Sequence, residues 1–145
     1  MPARNRSNYA DDFYAWTKEQ AEHLREGRLD RLDVSNLTEE IETMGRTERA
    51  ELESRLAVLL THLLKWQHQP GLRSRSWKST IREQRRQIER NLRRSPSLKA
   101  EFADSLAEAY GDAVLAAERE TGLESFPASC PFGADQILDA EFLPG

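Results

Sequence analysis

The sequence predicts an all-α fold: a single-domain bundle of about five helices with a packed C-terminal tail that carries a short helix of its own. Three observations lead there. No proline lies between Ala3 and Gln69, and Pro70, Pro96, Pro127, Pro131 and Pro144 fall between apolar-periodic stretches rather than inside them. Within those stretches apolar residues recur at three- and four-residue spacing, which lines one face of a helix. No run of five or more residues alternates apolar and polar with β-branched enrichment, so strands have no candidate. At 145 residues the chain fits one domain. A domain of this size buries roughly 68–70% of its unfolded surface, enough for a core without staples.

Residues 1–10 read as a flexible N-terminus ahead of a helical domain over 11–145. The first helix is predicted over about 13–26, with Asp11 or Asp12 accepting its orphan N–H groups and Gly27 suited to a left-handed stop. Phe13, Trp16, Gln20 and Leu24 share its inner face, and Leu29 and Leu32 pin the linker that follows. A second helix starts at Ser35 or Asn36, where Asn36 and Glu39 have the spacing of a capping box. Leu37, Ile41 and Met44 form its stripe, and Gly45 ends or kinks it. The third helix, about 47–67, carries Leu52, Leu56, Leu59, Leu60, Leu63 and Trp66, widened by Val58 and Leu64. A helix apolar on more than one side is covered on more than one side, so this one is the centre of the bundle.

Pro70-Gly71 stops the third helix. The fourth, about 76–93, gathers Trp77, Ile81, Gln84, Ile88 and Leu92 into one sector of about 80°. Ser95-Pro96 breaks it, and Ser95 or Ser97 restarts a fifth helix to about 121, where Gly122 ends it. Leu98, Phe102, Leu106, Ala109, Tyr110, Ala113 and Ala117 are its buried stripe, the small residues allowing close helix–helix approach. Beyond it, Phe126, Phe132, Ile137, Leu138, Phe142 and Leu143 are too apolar for a disordered tail. A short helix around 134–138 packed back on the bundle accounts for them.

Several function classes find no support. No apolar run reaches the ~18 residues of a spanning helix, and the N-terminus has no signal-peptide core. The reading is a cytoplasmic chain with no membrane contact. One cysteine, Cys130, precludes an internal disulfide. His23, His62 and His68 lack the Glu-x-x-His steps of a dimetal bundle, so neither a metal nor another cofactor is implied. Glycine-rich phosphate loops and nucleophile elbows are missing too. Glu39, Glu40 and Glu42 could do acid–base work only if burial split their pKa values. Their simpler roles are favouring a helix start and, for Glu42, pairing with an arginine of the fourth helix.

The charge pattern is the strongest feature. Residues 72–94 hold nine basic and two acidic side chains, and residues 95–145 hold two basic and ten acidic. Such segregation favours oppositely charged elements lying against each other, or one of them meeting a partner. Arg75, Lys78, Arg82, Arg86 and Arg90 fall between about 100° and 220° from Trp77, opposite the buried sector. They are the candidate contacts for an anion or a nucleic acid. Arg85, at about 80°, borders the core and reads, with Glu42, as a member of a structural ion pair.

Five segments carry a resemblance: DFYAWT (12–17), NLTEEIETMG (36–45), THLLKWQHQP (61–70), RSWKSTIREQRRQIERNLRRSPSL (75–98) and DQILDAEFLP (135–144). With these the chain resembles a bacterial family known only as domain of unknown function 29. That resemblance implies an all-helical domain and supplies no reaction or catalytic residue. The residues themselves favour a non-enzymatic interaction or regulatory module, docking an unknown protein partner or self-associating. A nucleic-acid-binding module using the cationic helix is the alternative. A small hydrolase built on the acidic run or Cys130 comes third, because catalysis needs several positioned groups and no such set stands out.

Overall fold

The computed structural model describes residues 9–145. The expected flexible N-terminus lies outside the described residues as far as residue 8, while Tyr9 and Ala10 are helical. Among the described residues there are helices and no strand. In chain order they are α1 (Phe13–Arg25), a 3₁₀ turn (Leu29–Arg31), α2 (Val34–His68), a 3₁₀ turn (Pro70–Leu72), α3 (Arg75–Arg94), a 3₁₀ segment (Pro96–Glu101), α4 (Phe102–Thr121) and α5 (Ala134–Leu138). Packing gathers the chain into two compact units, divided between Arg46 and Thr47.

One helix stands where the sequence predicts two. Gly45 does not end α2, which runs on from Val34 to His68, and its backbone stays out of the left-handed region. One exposed glycine costs a helix only about 1 kcal/mol. The good helix formers on both sides of Gly45 outweigh that.

In the first unit, Asp12 caps α1 by accepting from the Ala15 N–H at 3.0 Å. Gly27, at φ 71°, turns the chain out of it. Trp16 and Gln20 are buried, as the spacing predicts, but Phe13, Leu24 and Leu29 are largely exposed. Leu29 therefore does not pin the linker. Asp33 does that work. Its carboxylate accepts from Trp16 Nε1 at 3.0 Å and Asn36 Nδ2 at 2.7 Å, and its N–H donates to Gln20 Oε1 at 2.8 Å. Asp33 is also the residue that caps α2, with its backbone carbonyl accepting from Leu37 N. Asn36, expected as the cap, sits three residues inside, where its own N–H reaches Asp33 Oδ1 at 3.4 Å.

The second unit is built on the C-terminal part of α2. Leu52, Leu56, Leu59, Leu60, Leu63 and Leu64 are fully buried there, whereas Val58 stays partly exposed. Ile81, Ile88 and Leu92 of α3 and Ala109, Ala113 and Ala117 of α4 close on them in one core. The alanines let backbones approach closely enough for Thr61 Oγ1, while bonded to the Ala57 carbonyl at 2.7 Å, to come within 3.5 Å of the Ala113 carbonyl. Lys65 is buried, its ammonium 2.9 Å from Glu120 and 4.7 Å from the centre of the Trp77 ring. The cation–π contact offsets part of the desolvation. The fifth predicted helix opens as the 3₁₀ segment from Pro96 and becomes α-helical only at Phe102. Gly122, at φ 77°, ends it as expected.

The tail packs as predicted. Phe132 and Ile137 enter the core, α5 forms at Ala134–Leu138, and the Tyr110 hydroxyl donates to the Pro127 carbonyl at 2.6 Å.

Candidate binding groove

Arg85 helps to fix where the tail lies. It is buried on the inner flank of α3, and its guanidinium donates to three backbone carbonyls: Ile137 at 2.8 Å, Phe142 at 2.8 Å and Gln136 at 3.2 Å. Two of these belong to the last turn of α5, where helix carbonyls run short of intrahelical donors; Gln136 also accepts from the Asp139 N–H at 3.3 Å. A fixed cation at a helix C-terminus also complements the partial negative charge there. Burial pulls the Arg85 pKa down, and the nearby Asp139 carboxylate pushes it back up. In place of the ion pair expected of it, Arg85 bonds main-chain carbonyls, and it forms no ion pair among the described residues.

With the tail held there, a groove of about 920 Å³ opens between α3, Lys99 and the last residues of the chain. Ile81 and Leu92 from α3, with Leu138, Ala140 and Leu143 from the tail, supply apolar lining. Lys78, Arg82, Arg86, Arg93 and Lys99 supply cations, against Glu89 and Glu141. Arg93 is matched by Glu89 at 2.8 Å. Among the described residues, Lys78, Arg82, Arg86 and Lys99 form no ion pair or side-chain hydrogen bond. Three of the five expected anion contacts, Lys78, Arg82 and Arg86, therefore line the groove. Arg75 precedes the turn of α3 that lines it, and Arg90 is rotated past its edge. Both are exposed.

A family model described as Domain of unknown function DUF29 matches residues 8–143. The chain belongs to that family. No curated protein and no solved structure matches it. The arrangement of this DUF29 chain corrects two expectations about charge. No ion pair joins α3 to the acidic α4 among the described residues. The cations of α3 that do pair reach Glu89 on the same helix and Glu48 on α2, the latter from Arg94 at 3.2 Å. Glu42 is exposed and forms no ion pair among the described residues. It lies on α2 ahead of the division at Arg46, in the unit that does not contain α3.

The other chemical candidates do not converge in this DUF29 fold. Among the described residues no group of three or more histidine, cysteine or acidic side chains could hold a metal ion. His62 Nδ1 meets the Val58 carbonyl at 2.8 Å, His68 packs edge-on to Phe126, and His23 lies 3.8 Å from Glu19. Cys130 directs its thiol to the Phe132 carbonyl at 3.4 Å, and burial pushes its pKa up. A nucleophilic thiol needs the opposite shift. Among the described residues no helix is long and apolar enough to cross a membrane.

Sequence reasoning misses half of the groove. Lys99, Glu141 and the apolar tail residues form its second wall, and their packing back on the bundle is legible only in general. Among the bonds that hold them at α3 are those of Arg85 to backbone atoms, which leave no mark on the identity of the residues that carry them.

Proposed function

We propose that this protein is a non-enzymatic interaction module whose groove docks an acidic amphipathic segment of a protein partner. The observation that carries the reading is four unpaired cations, Lys78, Arg82, Arg86 and Lys99, set around apolar side chains. An amphipathic helix with acidic flanks satisfies both, its apolar face removed from water and its carboxylates meeting guanidinium groups. The apolar lining also argues against a phosphate track, and with no aromatic side chain among the lining residues the groove offers no stacking platform for bases. A place in the bacterial cytoplasm fits a chain whose single cysteine leaves it without an internal disulfide.

A fluorescent peptide of about four helical turns, with leucines at heptad-like spacing and glutamates between them, tests this by anisotropy at monomeric protein concentrations. Binding should weaken with salt and fall by at least about tenfold in Arg82→Glu/Arg86→Glu, with the helical circular dichroism unchanged. A short DNA duplex is the parallel probe. If the duplex binds with a steep log–log salt slope while the peptide does not, the groove is a nucleic-acid site and the reading is replaced. Binding of neither probe at low salt removes it.

A further inference from the structure

We infer that the groove's partner is a second copy of this chain, which inserts the N-terminal part of its own α2, residues 34–46. The inference rests on the groove reading above and names its occupant. Val34, Ile41 and Met44 are 64%, 64% and 66% exposed, and Leu37 lies between them, partly covered. At 100° per residue the four side chains fall in the same sector of about 100° that holds Leu52, Leu59 and Leu63 further along α2. Those three are fully buried. The apolar register of α2 is thus packed over residues 52–63 in the second unit and forms an open seam over residues 34–44 in the first.

The open part carries the charge the groove lacks. Residues 34–46 hold three carboxylates, Glu39, Glu40 and Glu42, against one guanidinium, Arg46. Arg46 lies 3.6 Å from Glu39, Glu40 accepts from the Tyr9 hydroxyl, and Glu42 forms no ion pair among the described residues. Lengths agree as well. Thirteen helical residues extend roughly 20 Å, and the stretch of α3 from Lys78 to Arg93 extends roughly 22 Å.

Pairing open seam with open seam covers the apolar residues but brings Glu40 and Glu42, which flank the seam at 100° per residue, towards their own copies. Pairing groove with groove sets cation against cation. Only the crossed contact, seam into groove, covers apolar surface and opposes charges together. Each chain owns one of each, so crossed contacts close as a reciprocal dimer or a ring, or run on as an open chain.

Sedimentation velocity on the full chain, across concentration and salt, tests the inference. The mass should rise above the monomer with concentration in low salt and return towards it in high salt. Two variants then separate the surfaces. Ile41→Glu/Met44→Glu spoils the seam and keeps the groove, and Arg82→Glu/Arg86→Glu does the reverse. Each alone should associate at least about tenfold more weakly than the unaltered chain. Mixed, they should recover a one-to-one complex, since one intact seam then meets one intact groove. That recovery also shows both variants folded.

A chain that stays monomeric in low salt at high concentration overturns the inference. So does a groove variant that still associates by itself, which would mean seam against seam, and so does a mixture that fails to recover. The peptide assay keeps the two readings apart. Peptide binding by a chain that never self-associates retains the groove's function and discards the second copy as its partner.

Discussion

At the scale of single residues, Arg85 matters most to the groove. It reaches the three carbonyls with a planar fork that a lysine ammonium does not reproduce. Arg85→Met keeps the length and apolar bulk but leaves the Ile137 and Phe142 carbonyls without this donor, while Gln136 keeps its bond from the Asp139 N–H. Hydrogen bonds to charged groups are each worth about 1.5–3 kcal/mol, and a shared loss here should cost about 2–4 kcal/mol. Urea melts should show that drop, and amide exchange should quicken from Gln136 to Phe142. An unchanged midpoint with a protected tail would show that the apolar contacts of Phe132 and Ile137 hold the tail unaided. Arg85 was legible in part. Its angular position marks it as bordering the core, but three backbone carbonyls of the tail have no signature in a linear chain.

At the scale of elements, α2 is where sequence and structure diverge most. The apolar spacing on either side of Gly45 is read correctly, yet it carries no information about whether the two pieces share an axis. Helix ends show reliably only where the backbone must leave the right-handed region, as at Gly27 and Gly122, both at positive φ. Gly45 has no such need, and nothing surrounds it. Gly45→Ala should therefore stabilise the fold by roughly 0.4–1 kcal/mol, by lowering the entropy of the unfolded chain. A higher urea midpoint for the variant, measured at monomeric dilution, is the expected outcome. A lower one would mean the backbone at Gly45 is not helical. Exposure was less legible than helix. Phe13, Leu24, Ile41 and Met44 have the spacing of core residues and lie largely in solvent, because periodicity names a face and not what covers it.

At the scale of the whole molecule, stability should depend on alkaline pH with a definite sign. Burial raises the pKa of Cys130, and burial again, helped by Cys130, raises that of Tyr110. Both are acids whose neutral form is favoured in the folded state. Their stabilising contribution is complete below their unfolded values, about 8.5 for a thiol and about 10 for a phenol. It is lost as pH rises through the folded values. Urea midpoints should hold steady from neutral pH to about pH 8.5 and decline above it, and Cys130→Ala should remove the earlier part of the decline. A midpoint that climbs with pH would contradict it.

The Arg85 anchor has a further consequence, for the history of the molecule and for its redesign. It grips the tail by atoms that every amino acid possesses, so it is indifferent to which side chains the tail displays. The exposed Leu138 and Glu141 can be exchanged, by drift or by design, without loosening the grip. The wall that discriminates between occupants is in this way decoupled from the bonds that keep it in place, and new selectivity can arise there while the fold persists.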